Sequence, residues 1–71
     1  MEKINISVFI DRENKTESLK LAGNSTVFDM LEALKINPIT VIISRNNELI
    51  LEDEHLNNND KLKILSVISG G

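Results

Sequence analysis

A strict alternation of apolar and polar residues near the N-terminus most limits how this chain can fold. Within Lys3–Ile10, every second residue is isoleucine or valine, and the residues between them are polar apart from Phe9. A period of two residues predicts a half-buried β-strand. After a polar, turn-rich stretch, a weaker alternation over Thr16–Leu21 predicts the second strand of a hairpin. A chain of 71 residues has room for one hydrophobic core, so this hairpin must belong to a sheet that covers that core.

A single amphipathic helix is predicted after this hairpin. Thr26 and Asp29 fit a capping box, in which each residue satisfies a backbone N–H group of the other. The helix should end near Ile36, because Asn37-Pro38 prevents its continuation. A helix this short is unstable alone, so its apolar stripe must lie on the sheet. The stripe consists of Val27, Met30, Leu31 and Leu34.

Three further strands are predicted in the second half of the chain. Thr40–Arg45 is rich in β-branched residues and Glu48–Leu51 reads as its partner, joined by the turn pair Asn46-Asn47. A last strand should cover Lys61–Val67. The order ββαββ followed by a final strand-like stretch, with one helix packed on a mixed sheet of four to five strands, predicts an α+β fold.

Composition and charge exclude several classes of function. The chain has no cysteine, which excludes thiolate metal sites and a cysteine nucleophile, and the lone His55 predicts no metal centre. Eight basic residues against eleven acidic ones form no run, so we expect no nucleic-acid binding. We expect neither a membrane span nor a signal peptide, and therefore a cytoplasmic location. The acidic run Glu52–Glu54 is interpreted as solvated surface.

The end of the chain is its most informative feature for function. We expect residues 1–67 to form the domain and residues 68–71 to form a flexible tail with nothing left to be trimmed. A glycine pair is thin enough to enter a narrow channel, and six extended residues from Ser66 onward would reach about 20 Å. Adenylation of the terminal carboxylate would make a mixed anhydride that a sulfur nucleophile can attack. The four tail residues are Ile68, Ser69, Gly70 and Gly71.

A set of residues along the chain also matches a family pattern, namely Thr26, Val27, Leu31, Leu34, Asn46, Asp60 and Val67–Gly71. With these residues the chain resembles the sulfur-carrier family of thiamine and molybdopterin biosynthesis, ThiS and MoaD, and more distantly archaeal ubiquitin-like modifiers. Its ending is most similar to that of the thiamine carrier. Asn47 and Asn59 stand where the family usually has glycine, but asparagine also tolerates left-handed backbone. The first hairpin is longer than in most thiamine carriers, which leaves the pathway open.

The resemblance implies a fold and a set of partners. The fold would be the ubiquitin-like β-grasp, with the first and last strands parallel at the sheet centre. A ubiquitin-activating-type adenylating enzyme would hold ATP and Mg and activate Gly71, so this chain would bind no cofactor and would not itself be an enzyme. A desulfurase or rhodanese-like donor would supply sulfur. An acceptor synthase would then use the thiocarboxylate for thiamine, molybdopterin or tRNA sulfur transfer, and the chain alone would be a monomer.

A docking patch for the adenylating enzyme is predicted on the sheet face opposite the helix. If the alternating isoleucines of the first strand meet the helix, Phe9 points to the other side. The same parity places Lys63, Leu65 and Val67 there, and Ile42 joins them from the third strand. In related carriers and in ubiquitin this sheet face binds the activating enzyme.

Two other functions remain open at this stage. The chain could be a modifier that is joined through Gly71 to lysines of other proteins, which requires the same adenylation. It could also be a passive β-grasp interaction module with an inert tail.

Overall fold

A computed structural model describes residues 2–67 and contains five strands and one α-helix within them. The sheet side chains alternate between two faces, and the helix covers one of these faces. Short 3-10 turns at Asp11–Glu13 and Pro38–Thr40 precede β2 and β3. The elements are β1 Lys3–Ile10, β2 Lys15–Ala22, α1 Val27–Leu34, β3 Val41–Arg45, β4 Glu48–Ile50 and β5 Lys61–Ser66.

The strands form one mixed sheet in the order β2-β1-β5-β3-β4. The parallel pair joins β1 to β5, with Ser7 opposite Lys61 and Ile10 opposite Ile64. The remaining neighbours are antiparallel. This is the α+β β-grasp arrangement, and the predicted parallel pairing of the first and last strands is confirmed.

The core lies between the helix and the inner sheet face. Val8, Val27 and Met30 are fully buried, and Leu56 closes the core from the long segment before β5. Burying one such aliphatic side chain contributes about 1.5–3 kcal/mol. The remaining buried apolar residues are Ile4, Ile6, Ile10, Leu31, Ile43, Leu62 and Ile64.

The helix begins at the predicted capping box and ends earlier than predicted. The Thr26 N–H donates to Asp29 Oδ2 at 2.9 Å, and the Asp29 N–H donates to Thr26 Oγ1 at 3.4 Å. At the other end Lys35 adopts a left-handed φ of 60°, and the Ile36 N–H donates to the carbonyl of Leu31 at 2.9 Å. The expectation that the helix continues to about Ile36 is therefore wrong, because this C-terminal cap ends it at Leu34.

Asparagines occupy the left-handed positions of the turns. Asn46 and Asn47 have φ values of 55° and 67°, as a two-residue hairpin turn requires. Asn59 has φ 69° just before β5. The prediction that asparagine replaces the usual glycines without changing the fold is confirmed at both positions. None of the helices within residues 2–67 is long and apolar enough to cross a membrane.

Candidate functional site

The described part of the chain ends in the inner part of the sheet. Strand β5 lies between β1 and β3 and ends at Ser66, one residue earlier than predicted. The Val67 N–H donates to the carbonyl of Thr40 at 3.0 Å, which continues the antiparallel register of β3 and β5 by one pair. The predicted reactive residue Gly71 and the predicted tail residues Ile68, Ser69 and Gly70 lie outside the described residues.

The predicted docking residues share the sheet face opposite the helix, which we call the open face. Phe9 is the register partner of Lys63 across β1 and β5, and Ile42 is the partner of Leu65 across β3 and β5. Val67 follows Leu65 by two residues on the same face. Ile42 and Val67 are exposed, while Phe9 and Leu65 are half-buried by their neighbours. The sheet therefore brings all five residues together on one surface.

Leu49 extends this surface, although sequence reasoning did not single it out. It is the register partner of Ser44 on the open face and is 69% exposed. The alternation within the predicted strand Glu48–Leu51 indicates its position, because an inward Ile50 places the neighbouring Leu49 on the opposite face. We call the group of Phe9, Ile42, Leu49, Leu65 and Val67 the apolar patch. It occupies the end of the sheet at which β5 ends.

Arg45 connects β3 to the long segment before β5, a role that the sequence did not reveal. Its guanidinium donates to the carbonyl of His55 at 3.0 Å and to Asp60 Oδ2 at 3.2 Å. It also pairs with Glu54 Oε2 at 3.1 Å. Asp60 Oδ2 accepts in addition from the Asn57 N–H at 2.8 Å. These contacts hold the segment that leads into β5 and so position β5 itself.

The acidic run Glu52–Glu54 is exposed, as the sequence predicted. Glu54 in addition pairs with Arg45, which the sequence did not indicate. His55 has an exposed side chain and takes part through its backbone, including a β-bridge with Thr26. Across the described part of the chain, no group of three or more histidine or acidic side chains is arranged to hold a metal ion.

Comparisons with known proteins agree with this geometry. The ThiS family model matches residues 7–71. The sulfur carrier protein TtuB of Thermus thermophilus is 36% identical over 55 residues, which cover 78% of this chain and 85% of that protein. Among solved structures, the ubiquitin of Caldiarchaeum subterraneum superimposes with a TM-score of 0.74 at 18% identity and covers 99% of this chain and 100% of its own. A de novo design based on ubiquitin gives 0.77 at 17% identity, covering 96% of this chain and 93% of the design, and both likenesses establish a ubiquitin-like fold.

Proposed function

The chain belongs to the ThiS family, and from this membership we propose that its terminal Gly71 carboxylate is adenylated and then converted to a thiocarboxylate. Proteins of this family are small sulfur carriers and not enzymes, so the catalytic groups belong to partners. The observation that carries the proposal is the extent of the family match, which runs to residue 71 and therefore includes Gly70 and Gly71. The relative TtuB is likewise named a sulfur carrier.

The proposed chemistry has two steps, both catalysed by other proteins. A Gly71 carboxylate oxygen attacks the α-phosphorus of ATP and pyrophosphate leaves, on an adenylating enzyme that binds ATP and Mg. Hydrosulfide then attacks the carbonyl carbon; where a desulfurase or rhodanese-like donor carries the sulfur as a persulfide, a second thiol first releases it as hydrosulfide and forms a disulfide with the donor cysteine. The new C–S bond replaces the C–O bond to AMP, which leaves with the electron pair. Glycine suits both steps, because its α-carbon carries no side chain to hinder the attack.

The destination of the sulfur follows from the partner synthase, and thiamine, molybdopterin and tRNA sulfur transfer are all compatible with the family. In this proposal the chain is a cytoplasmic monomer that meets the adenylating enzyme, the sulfur donor and the acceptor synthase in turn. It contributes the acyl group and the surface by which each partner recognises it.

The adenylating enzyme docks on the apolar patch in this proposal. The patch combines the exposed Ile42, Leu49 and Val67 with the half-buried Phe9 and Leu65. Contiguous exposed apolar side chains of this kind are typical of protein interaction sites. Because the patch includes Val67, a partner bound to it lies next to the point where residues 68–71 begin.

Intact mass measurement tests the chemistry. After incubation with the purified adenylating enzyme of the same genome, ATP, Mg and hydrosulfide, the chain should gain about 16 Da by exchange of one oxygen for sulfur. A variant that lacks Gly71 is the control and should gain nothing. If the full chain shows no mass change and no pyrophosphate is released, the proposal is wrong. Lysine-linked conjugates in cells without thiocarboxylate would instead identify a protein modifier.

Docking on the apolar patch is tested by Leu65→Asp. We expect kcat/KM for adenylation to fall about tenfold or more, because a charge replaces a central apolar contact. Phe28→Asp is the matched control, since Phe28 is 39% exposed but lies on the helix, away from the open face. Equal kinetics for both variants would contradict docking at this patch.

A further inference from the structure

The charged residues that the described strands place on the open face are all positive. Lys3 and Asn5 flank the buried Ile4 on β1 and therefore lie on the open face. Lys20 is the register partner of Asn5 and lies on the same face. Lys61 and Lys63 join them from β5. All four lysines are exposed. Within the described strands, no aspartate or glutamate shares this face.

The carboxylates of the strands lie on the other side of the sheet. Glu17 is opposite the buried Val8, and Glu48 is opposite Arg45. The remaining acidic residues belong to the helix, the turns, the loops and the segment before β1. Among residues 2–67, no carboxylate lies within ion-pairing distance of any of the four lysines. A chain with a net charge of −3 therefore presents one face with four unpaired positive charges.

The lysines and the apolar patch occupy opposite ends of the same face. Lys63 lies at the boundary, because Lys61 precedes it and Leu65 follows it on β5. It shares its row of the sheet with Phe9 and Ser44. Lys61 is four residues before Leu65, which is about 13 Å along the strand. Lys20 lies further in the same direction, beyond the row of Ser7. The open face therefore changes from apolar, at the end where β5 ends, to cationic at the far end.

We propose that the cationic end of the open face docks against an acidic surface of the adenylating enzyme. This inference rests on the proposed function and adds the partner's chemistry and its orientation. The apolar patch would dock beside the enzyme's active site, which receives Gly71. Carboxylates of the enzyme would meet Lys61, about 13 Å from Leu65 along β5, and Lys20 beyond it. Opposite charges placed in this way accelerate encounter and reject the reversed orientation, in which the tail would point away from the enzyme's active site.

An acidic protein surface explains the whole face better than a nucleic acid does. A phosphate backbone would satisfy the lysines but would leave the adjoining apolar patch without a partner, and the net charge of −3 would oppose its approach. A protein surface with an apolar centre and an acidic margin matches both ends at once.

Charge reversal on one strand tests the proposal with a matched control. Lys20→Glu and Lys15→Glu both lie on β2 and change the net charge by the same amount. Lys20 lies on the open face, whereas Lys15 is opposite Ile10 and pairs with Glu17 at 2.9 Å on the other side. We expect Lys20→Glu to lower the association rate constant for the purified adenylating enzyme about fivefold at ~0.05 M salt, and the loss to shrink below about twofold at ~0.5 M. Lys15→Glu should stay close to the wild-type chain.

Lys61→Glu provides a second variant on the open face and should behave as Lys20→Glu does. Far-UV circular dichroism and thermal unfolding confirm that each variant is folded. Equal association rate constants for the Lys20 and Lys15 variants would overturn the proposal, as would a loss that does not depend on salt. Binding of bulk tRNA that needs Lys20 and Lys61, with unchanged binding of the enzyme, would assign the face to nucleic acid instead.

The mass measurement separates this inference from the proposed function. If the wild-type chain and all variants gain sulfur equally and associate equally, only the docking of the lysines is wrong. If association depends on Lys20 and Lys61 but the wild-type chain never gains sulfur, the docking holds and the proposed chemistry is wrong.

Discussion

Replacing Arg45 by methionine should destabilise the fold more than any surface ion pair would suggest. The Arg45 side chain is 17% exposed and its partner Asp60 is 15% exposed, so this pair is mostly removed from water. Glu54, the other ionic partner, is 48% exposed. Methionine keeps most of the hydrophobic stem but makes none of the three contacts to Glu54, His55 and Asp60.

The expected cost follows from these three contacts. Loss of the charged bond to Asp60 costs about 1.5–2 kcal/mol, because that carboxylate stays half-buried with only the Asn57 N–H as donor. Loss of the bond to the His55 carbonyl adds about 0.5–1 kcal/mol. The exposed Glu54 pair adds at most a few tenths of a kcal/mol. Arg45→Met should therefore lower the free energy of unfolding by about 2–3 kcal/mol, or the melting temperature by roughly 10–20 °C.

Urea unfolding followed by far-UV circular dichroism measures this change, since the chain has neither tryptophan nor tyrosine as a fluorescent probe. Two double-mutant cycles separate the partners. Arg45 with Asp60→Asn should show a coupling of about 1–2 kcal/mol, and Arg45 with Glu54→Gln a coupling below about 0.5 kcal/mol. If Arg45→Met costs less than about 0.5 kcal/mol, or if both couplings are equal, burial does not decide the strength of these pairs.

Three further predictions concern the helix, the hairpin and the edge strand. Thr26→Ala removes the side-chain acceptor of the capping box and should cost about 1 kcal/mol in urea unfolding, whereas Thr26→Ser should cost much less. Asn47→Gly should stabilise the chain by a few tenths to 1 kcal/mol, because φ is 67° there, and a loss of stability would contradict the turn assignment. The hydrogen bond and charge of Glu17 raise the pKa of Lys15 above 10.5, so the pair stabilises the folded state fully below that pH and loses this effect as pH rises through the raised pKa. Thermal unfolding of Lys15→Met should therefore differ from that of the wild-type chain at pH 8, and the difference should shrink as pH rises through the raised pKa of Lys15; a difference that does not change with pH would argue against the pair.

Local signals in the sequence predicted most of the elements. The alternation over Lys3–Ile10 and the Asn46-Asn47 turn depend on neighbours along the chain, and both were confirmed. The end of the helix was misplaced because the left-handed cap at Lys35 carries no glycine to mark it. The tail chemistry was inferred from residues 68–71 and a resemblance, and the docking role of the apolar patch stays a prediction.

By itself the sequence determined which residues form strands and which face of each strand is apolar. The two-residue period of apolar residues and the turn residues are local signals, since each depends on only a few neighbouring positions of the chain. Only the tertiary structure decided how the two hairpins are joined, with β5 between β1 and β3. The parallel pairing of β1 with β5 joins segments more than fifty residues apart, and it gathers lysines that are scattered along the chain onto one face. The antiparallel pairing of β3 with β5 brings Arg45 to Asp60. Both arrangements depend on long-range register, which the shared burial of the inner side chains sets and no local pattern contains.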